Sequence, residues 1–501
     1  MKYTSTRNSE VSVSASEATL KGISDDGGLF VPSSFPHLDG ALLGSLLKMD
    51  YQERVAKILS LYFDEFDFET LLDLANNAYS HYDDSDPCPV VKIEDGVFML
   101  ELWHGPTCSA KDMAFSLLPY LVAGARQRLG FDEKTLMLTA TSGDGAAALE
   151  AFKNARNALR SGSAQNAQNA EIIAFYPAKG VSPVQRLQMT TLEGEGLHVA
   201  GIKGNFDAVQ TAVRKALNDG NIKEKLKESG YKLCTANSLN FACIALEIPY
   251  FISSYCDLVN GGEIEIGDKI NFVIPTGSFS EAIAGYYAYK MGLPVNKFII
   301  ATNANNVLVD FFNNGVYDVN RKFFKTSSPS QDMLIASDIE RLIFEVNGRD
   351  GKLVRELYAG LENGGRFEMD AETARDGIFE AGWADDDDVK DAIFTFFDLD
   401  DYVMDTHTAV GASVYNDYSC ETEDETPTVV LSTVSPFKHA TGVLAALDTR
   451  ENDAFKALSR LQLLTALDCP ECLSELAYKD EIHTTVVDPS WIGDAVLNFI
   501  K

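Results

Sequence analysis

Short apolar segments alternate with helical patterns along the chain from about residue 97 to residue 431. This alternation predicts an α/β fold, in which mostly parallel sheets are covered by helices on both faces. Parallel sheets bind ligands at the carboxyl ends of their strands, so the loops that follow the strands are the first candidates for a site. The predicted strands cover residues 97–100, 135–139, 172–175, 271–274, 298–301 and 428–431.

The first 90 residues have a different pattern and look like a separate leading region. A turn signal rich in Asp and Gly precedes a short apolar run, and between Leu42 and Tyr82 the apolar residues recur at intervals of three and four. That periodicity predicts two or three amphipathic helices. We therefore expect an N-terminal helical and mixed domain over residues 1–90. Two α/β subdomains should follow over residues 91–501, with an acidic insertion near 345–400.

Two polar stretches are expected at the surface. Residues 160–170 are small, polar and low in complexity, which predicts a mobile loop. Residues 385–388 are four consecutive aspartates just before Val389. They could hold a cation, but we favour a solvated helix start that the helix dipole stabilises.

The charge of the chain narrows its possible partners. Of its 501 residues, 42 are Lys or Arg and 74 are Asp or Glu, which gives a formal net charge of −32. A nucleic acid or an anionic membrane would be repelled without a local basic patch. No stretch reaches the roughly 18 apolar residues that span a bilayer. The start of the chain is polar and lacks the apolar segment of a secretion signal, so the cytoplasm is the expected compartment.

The cysteine and histidine patterns give little sign of metal or hydrolase chemistry. The eight cysteines are scattered, unlike the dense framework of a small secreted domain. Cys469 and Cys472 form the one CxxC motif, and no second pair or histidine ladder accompanies it, so we expect incidental or structural thiols and no metal. The sequence also lacks the HExxH motif of metalloproteases and the GxSxG motif of serine hydrolases.

Two loops between a strand and a helix have the composition of a ligand site. In residues 271–287 a strand is followed by a loop with Gly277 and small hydroxyl residues, and a helix opens near Glu281. Unpaired N–H groups at such a helix start can bind phosphate, although most joints of this kind use Gly and Ser only to turn. The second loop, residues 139–148, fits close backbone approach to a ligand as well as a tight turn capped by Asp144.

A single lysine, Lys111, lies between a Gly-Pro turn and an apolar helix. On the surface it could simply pair with Asp112. In a cleft, desolvation would lower its pKa and allow it to form a Schiff base with an aldehyde. Such a lysine, together with a phosphate-binding loop on a parallel α/β scaffold, points to pyridoxal phosphate, the electron sink for amino-acid carbanions.

A series of motifs runs in order through the whole chain. It comprises YTSTR at residues 3–7, DGGLFVP at 26–32, ELWHGPT at 101–107, VSPVQRLQMTT at 181–191, GNFD at 204–207, ANSLN at 236–240, SSPSQD at 327–332, Glu340-Arg341, DTHTAVG at 405–411 and STVSPFK at 432–438. In this series the chain resembles the threonine synthases, a family of fold-type II enzymes that depend on pyridoxal 5′-phosphate. The resemblance implies that fold, that cofactor and a lyase reaction in threonine biosynthesis, in which O-phospho-L-homoserine and water give L-threonine and phosphate.

The same resemblance implies roles for individual residues. Lys111 matches the cofactor lysine, which releases the cofactor to the substrate amine and then moves protons at the substrate carbons. Thr433 falls where the family has a hydroxyl near the pyridine nitrogen. The cofactor-phosphate loop falls on Gly277, Ser278, Phe279, Ser280 and Glu281. Weaker candidates for substrate contact, each equally explained as an exposed cap or ion pair, are Ser142, Asp144, Arg341 and Lys438.

Several positions depart from the family pattern, and most of them fall in loops of the expected site. Ala110 stands where the family has Phe before the lysine, and Gly145 replaces a hydroxyl residue. Ser278 and Ser280 replace Asn and Gly, and a positive φ at Ser280 would cost about 1–2 kcal/mol. Cys243 stands where the family often has Arg, which removes a cation that could serve phosphate binding.

These departures leave three hypotheses for function. The first is an active threonine synthase, monomer or homodimer, acting on O-phosphohomoserine. The second is a pyridoxal-phosphate phospholyase that releases 2-oxobutyrate instead of adding water. The third is a catalytically weak paralogue with a binding role. The retained Lys111 favours the first two, whereas the combined loop changes favour the third.

Overall fold

The computed structural model of the chain describes residues 1–161 and 170–500 and has the α/β architecture that the sequence predicts. Helices cover two mainly parallel sheets, and the predicted loop at 160–170 lies mostly outside the described residues. The helices are Ala15–Lys21, Gly40–Leu46, Tyr51–Tyr62, Phe68–Tyr79, Lys111–Phe115, Leu118–Leu129, Ala146–Ser161, Pro183–Thr190, Phe206–Asn218, Gly220–Glu228, Phe241–Gly261, Ser280–Met291, Val307–Asn314, Ile339–Val346, Gly351–Gly364, Ala371–Arg375, Asp386–Asp400, Thr406–Thr422, Ala440–Ala446, Ala454–Thr465, Glu471–Ser474 and Ile492–Phe499.

The N-terminal region combines a small antiparallel sheet with helices. In this sheet the strand Lys2–Ser5 lies between Asn8–Ser14 and Phe30–Pro32. The helices between Gly40 and Tyr79 follow the predicted periodicity, and each begins after an aspartate whose side chain accepts a backbone N–H bond. The sequence does not predict the first two strands, because most of their residues are polar.

A buried ion-pair network joins this region to the rest of the chain. Arg7 donates to both carboxylate oxygens of Glu340, each at 3.0 Å, and Thr6 Oγ1 donates to the same carboxylate at 2.6 Å. Arg214 adds a further bond at 3.1 Å. Glu340 is fully buried, so these donors offset the cost of removing its charge from water.

The larger sheet has six strands, and its pairings are parallel except at the last strand. Across the sheet the strands are Phe379–Trp383, Val295–Thr302, Ile270–Pro275, Thr428–Ser432, Val97–Glu101 and Val90–Glu94. The edge strand Phe379–Trp383 comes from the segment 345–400 that the sequence analysis describes as an insertion. Part of that segment is therefore built into the sheet itself.

The smaller sheet has five strands, and all of its pairings are parallel. Across the sheet the strands are Val486–Val487, Leu197–Ile202, Ala170–Pro177, Lys134–Ala140 and Tyr231–Thr235. A short antiparallel pair, Val316–Asp318 with Arg366–Glu368, lies outside both sheets.

Helix ends follow local sequence signals. Asp385 accepts hydrogen bonds from the N–H groups of Asp387 and Asp388, so the aspartate run is the start of a helix, as we favoured above. Pro119 marks the start of a separate helix. It lies in the first turn of a new helix, Leu118–Leu129, separate from the helix that begins at Lys111.

The helix Phe241–Gly261 runs through the core and brings one carboxylate, Glu247, to the site described below. Among the described residues it is the one helix long and apolar enough to cross a membrane by length and composition. However, 89% of its most apolar window is buried inside the protein, as in a core helix.

Candidate functional site

A cleft opens at the carboxyl ends of strands from both sheets. Its volume is about 130 Å³. The loop after Lys134–Ala140 and the loop after Ile270–Pro275 both line it, and Thr433 joins them directly after Thr428–Ser432. This is the position at which parallel α/β sheets bind ligands. The predicted site residues that line the cleft are Lys111, Ser142, Asp144, Gly277, Ser278, Glu281 and Thr433.

The loop after Ile270–Pro275 enters a helix at Ser280. Its left-handed residue is Phe279, with a φ of 73°, whereas Ser280 is already helical. Ser280 therefore does not need a positive φ, and the left-handed backbone falls on Phe279. Phe279 is fully buried and packs against Phe312 and Phe379, which holds the strained residue in place.

Close packing requires a small residue at two glycines of the cleft. A Cβ at Gly277 would lie 2.8 Å from Met333 Cε. A Cβ at Gly145 would lie 2.5 Å from Thr141 Cγ2. Glycine at position 145, where the family has a hydroxyl residue, therefore fits the close packing of this chain.

Lys111 lies in the cleft beside the 278–281 loop. Its Nζ donates to Ser280 Oγ at 3.1 Å, contacts the carboxylate of Glu281 and lies 3.5 Å from Glu247 Oε1. Its side chain is 30% exposed. The alternative of a surface pair with Asp112 does not hold, because Asp112 is buried and accepts bonds from the N–H and hydroxyl of Thr107 at 2.9 Å.

The charges around Lys111 reverse the shift that desolvation alone predicts. Burial lowers the pKa of Lys111, but Glu281 and Glu247 outweigh that effect and leave the pKa raised. Burial favours the neutral form of Glu281, yet the adjacent Lys111 leaves its pKa lowered. Burial raises the pKa of Glu247 to about 8, although Lys111 opposes the shift. At neutral pH the cluster thus holds an ammonium, a carboxylate and a protonated carboxyl.

A short β-bridge fixes the lysine loop against Thr433. Ser109 pairs with Val434, and the N–H of Ala110 donates to the carbonyl of Thr433 at 2.7 Å. The Thr433 N–H donates to Thr408 Oγ1 at 3.2 Å. Ala110 and Thr433 both line the cleft. The bridge therefore sets the position of Thr433 relative to the lysine.

Asp144 and Lys438 form a buried ion pair at the cleft wall. Lys438 Nζ donates to Asp144 Oδ1 at 2.6 Å, and Gln185 and Ser330 donate to the same carboxylate at 3.3 and 3.1 Å. Burial favours the neutral form of Asp144, but Lys438 leaves its pKa lowered. Lys438 itself does not line the cleft, whereas Ser142 does.

Arg341 lies away from the cleft wall. It is fully buried, and its guanidinium donates to Asp338 and to the backbone carbonyls of Phe30, Ser238 and Leu239. These bonds join three parts of the chain. They support a structural role for Arg341 more than the substrate contact suggested by sequence.

Cys243 lines the cleft close to Glu247. Of the described residues that line this cleft, Lys111 is the one lysine or arginine. The loss of a cation expected from Cys243 is therefore real at this site. Burial raises the pKa of the Cys243 thiol, so it contributes no charge in compensation.

Two cleft residues are absent from the sequence-based candidates. Glu247 was identifiable as a lone charge within a long apolar stretch. His407 lies in the DTHTAVG motif, and its role was not assigned. Its Nε2 accepts from the Ser330 N–H at 3.0 Å, and its Nδ1 lies 2.7 Å from Asp405 Oδ2.

The CxxC motif also lies closer to the site than the sequence suggests. Cys472 Sγ is 3.4 Å from Cys108 Sγ, and Cys108 is three residues before the cleft lysine. Cys108 is 2% exposed and has a φ of 57°.

The sequence of the chain matches known threonine synthases over nearly its whole length. A family model described as the threonine synthase N terminus matches residues 2–79. The threonine synthase of Corynebacterium glutamicum is 31% identical over 512 residues, which cover 99% of this chain and 99% of the relative. Human threonine synthase-like 1 is 34% identical over 446 residues, or 87% of this chain, but the match spans only 58% of that longer protein.

A solved structure agrees with these matches. The crystal structure of PLP-bound threonine synthase from Brucella melitensis superposes with a TM-score of 0.83. It is 31% identical and covers 100% of both chains.

Proposed function

This chain belongs to the threonine synthase family, and from that premise we propose that it is a pyridoxal 5′-phosphate-dependent lyase. Its proposed reaction converts O-phospho-L-homoserine and water into L-threonine and phosphate. The observation that carries the proposal is the position of Lys111 Nζ, inside a cleft and in contact with the helix start at Ser280 and Glu281.

The residues around the cleft fit the proposed cofactor. Lys111 supplies an amine, Thr433 supplies a hydroxyl, and Gly277 allows close backbone approach. Glu247 Oε2 is buried and has no hydrogen-bond partner among the described atoms, so a polar ligand could satisfy it. When bound, the cofactor supplies an electron sink for carbanions of amino acids.

Lys111 and its carboxylates provide the proton transfers of the proposed reaction. An ammonium cannot attack a carbonyl group, so Lys111 must first lose a proton. Glu281 contacts Nζ and stabilises the ammonium until that proton leaves. Once free, the amine at Nζ is the base that removes and returns protons at the substrate carbons. Glu247, protonated at neutral pH, can replenish the cluster.

A second candidate, the weak paralogue with a binding role, has one observation in its favour. Two carboxylates share the one cationic side chain that lines the cleft among the described residues. A phosphate dianion would meet less positive charge here than a site with an arginine at position 243 would offer. Product analysis separates the candidates: threonine supports the synthase, 2-oxobutyrate the phospholyase, and neither product the paralogue.

The cytoplasm remains the proposed compartment. The eight cysteines are scattered along the sequence, unlike the dense framework of a small secreted domain, which supports this proposal.

The test is Lys111→Arg in protein purified with pyridoxal 5′-phosphate. Arginine keeps a cation between the two carboxylates, so the fold should survive, but it cannot bond covalently to the aldehyde. We expect the wild type to show a visible absorption band and to form threonine, and Lys111→Arg to lose both. Lys134→Arg, at an exposed lysine on the smaller sheet, is the matched control and should retain both. Threonine formation at the wild-type rate by Lys111→Arg would contradict the proposal.

A further inference from the structure

Glu281 occupies the place at which its own helix would bind an anion. It is the second residue of the helix Ser280–Met291, at the positive end of the dipole. Ser280 Oγ donates to Glu281 Oε2 at 2.8 Å, and Lys111 contacts the other oxygen. A carboxylate of this chain therefore already accepts from the hydroxyl and the ammonium beside this helix start.

A phosphate dianion added at this helix start would face a carboxylate of the same sign. Lys111 is the one lysine or arginine among the described residues lining the cleft, and it already serves Glu281. Lys438 cannot supply a second cation either, because it is buried and paired with Asp144. Protonation of Glu281 is the remaining way to remove the repulsion, and a protonated carboxyl can also donate a hydrogen bond to phosphate.

We propose that Glu281 takes up a proton when a phosphate-bearing cofactor binds, and that Glu281 and Glu247 together form a hydrogen-bond-donating cradle for the phosphate. This inference rests on the proposed function, because it takes pyridoxal 5′-phosphate as the ligand. It makes the two glutamates determinants of cofactor affinity in place of the missing arginine.

Glu247 supplies an independent observation for the cradle. Its carboxyl is 3% exposed, and its Oε2 has no partner among the described atoms. Burial raises its pKa to about 8, so it carries a proton at neutral pH and has a hydrogen to donate. Glu281 differs, because Lys111 keeps its pKa lowered, and it is ionised until the phosphate arrives.

The sign of the pH dependence follows from this difference. The pKa of Glu281 is low beside Lys111 and rises beside a dianion, so the loaded protein binds more protons than the free protein. Binding should therefore strengthen as the pH falls between these two pKa values. The other titratable or charged groups that act on the pair come from the helix of Glu247 and from two further parts of the fold. They are Cys243, Tyr250, Lys111 and Asp338.

The experiment compares cofactor binding by the wild type and Glu281→Gln. Equilibrium dialysis gives the dissociation constant for pyridoxal 5′-phosphate between about pH 7 and about pH 9, where proton linkage can change it by up to about tenfold per pH unit per proton. Calorimetry in two buffers of different ionisation enthalpy gives the protons taken up. We expect the wild type to take up as much as one proton more than Glu281→Gln. Its affinity for the cofactor should also fall more steeply as the pH rises.

Pyridoxal, which lacks the phosphate, is the matched ligand, and Asp86→Asn is the matched variant. Asp86 has a pKa raised by burial but lies outside the cleft lining, so this variant should behave like the wild type. With pyridoxal, the wild type and Glu281→Gln should show the same pH slope. Glu247→Gln should lower affinity for pyridoxal 5′-phosphate less than tenfold, since an amide can still donate a hydrogen bond.

Three results would overturn the inference. Equal slopes and equal proton uptake with pyridoxal 5′-phosphate would show that Glu281 stays ionised, and would leave the proposed function intact. A slope difference that persists with pyridoxal would assign the proton to the amine chemistry and not to the phosphate. Failure of both proteins to bind the cofactor at any pH would overturn this inference and the proposed function together. Tight, proton-linked binding without threonine formation would support the cradle and contradict only the proposed function.

A second inference rests on the thiols next to the lysine loop and is independent of the cofactor. Cys472 lines an open groove of about 530 Å³. Cys108 is buried behind it, and the two sulfur atoms are 3.4 Å apart. A hydrogen bond from Cys108 lowers the pKa of Cys472, which makes Cys472 the more reactive of the two. We infer that a peroxide oxidises this pair to a disulfide that ties the C-terminal segment to the loop before Lys111.

The oxidation balances in two steps. The Cys472 thiolate attacks hydrogen peroxide and becomes a sulfenic acid, while the peroxide O–O bond breaks and one water forms after proton uptake. The Cys108 sulfur then attacks the Cys472 sulfur, the S–O bond breaks, and a second water leaves. Two thiols lose two electrons and two protons in total, and a dithiol reductant reverses the change.

Mass spectrometry of alkylated peptides after peroxide treatment tests this inference on the full chain. We expect a Cys108–Cys472 cross-linked peptide in the wild type and in Cys469→Ser, and a reduced Cys108 in Cys472→Ser. The exposed Cys420 is the internal control and should not cross-link to Cys108. A Cys108 thiol that stays reduced in the oxidised wild type, or a disulfide only between Cys469 and Cys472, would overturn the inference.

Discussion

Removing either partner of the Asp144–Lys438 ion pair alone should destabilise the protein about as much as removing both partners together. Lys438 is 1% exposed, and its Nζ lies 2.6 Å from Asp144 Oδ1. Gln185 and Ser330 add hydrogen bonds to the same carboxylate. The variants are Asp144→Asn, Lys438→Met and the double variant, which replaces the pair with an amide and an apolar side chain of similar length.

The magnitudes follow from the burial of the pair. A buried ion left without its partner costs about 3–5 kcal/mol. Asp144→Asn should cost about 3 kcal/mol, because the buried Asp112 also attracts Lys438 and leaves it partly balanced. Lys438→Met should also cost about 3 kcal/mol, since two hydrogen bonds to the carboxylate remain. The double variant leaves neither member of the pair without its partner, so we expect about 3 kcal/mol again, in place of the roughly 6 kcal/mol of independent effects.

Urea unfolding of the four proteins at neutral pH measures the coupling as a double-mutant cycle. A coupling of about 3 kcal/mol is the expected result. If the double variant lost the full sum of the two single effects, the two side chains would be energetically independent, and the argument from burial and distance would be refuted.

Acid provides a further check on the same pair. Lys438 keeps the pKa of Asp144 lowered against the effect of burial. The contribution of Asp144 is therefore fully present above its unfolded pKa of about 4 and is lost as the pH falls toward the lowered folded value. The stability difference between the wild type and Asp144→Asn should narrow below about pH 4. A difference that stayed constant there would show that the carboxylate gains nothing from Lys438.

Three other predictions test single sites. Gly145→Thr should lower the free energy of unfolding by about 1–3 kcal/mol, because its Cβ would lie 2.5 Å from Thr141 Cγ2; unchanged stability would show that the loop moves freely. Asp385→Ala should cost about 1 kcal/mol by removing a helix N-cap, with Asp385→Asn as the conservative control that should cost less. Burial lowers the pKa of His104, but hydrogen bonds to two carboxylates outweigh that effect and raise the pKa to about 9. The contribution of His104 to the stability of the fold is therefore complete below about pH 6.5 and is lost as the pH rises through about 9. An NMR titration of the His104 ring that gave an ordinary midpoint would contradict this.

The strands and the site loops could be predicted because their signals are local. The apolar segments that end at Thr139, Ile274 and Leu431 are short and are followed by small residues. Each becomes part of a buried parallel strand, and the cleft lies at the carboxyl end of that strand. The strand Asn8–Ser14 escaped because it is exposed at several positions and mostly polar. Phe379–Trp383 was assigned to an insertion because it lies in an acidic segment. Nothing in that segment indicates that it pairs with the strand Val295–Thr302.

The charge state of Lys111 shows why the chemistry of the site could not be predicted in the same way. From sequence, a lysine in a cleft is expected to have a lowered pKa, since burial alone disfavours a cation. In the fold, two helices that begin far along the chain bring Glu247 and Glu281 to the same nitrogen, and their attraction exceeds the cost of burial. The sign of the shift thus depends on partners 136 and 170 residues away in sequence. The same contact keeps the pKa of Glu281 lowered, so the charge states of the lysine and of Glu281 have one physical cause.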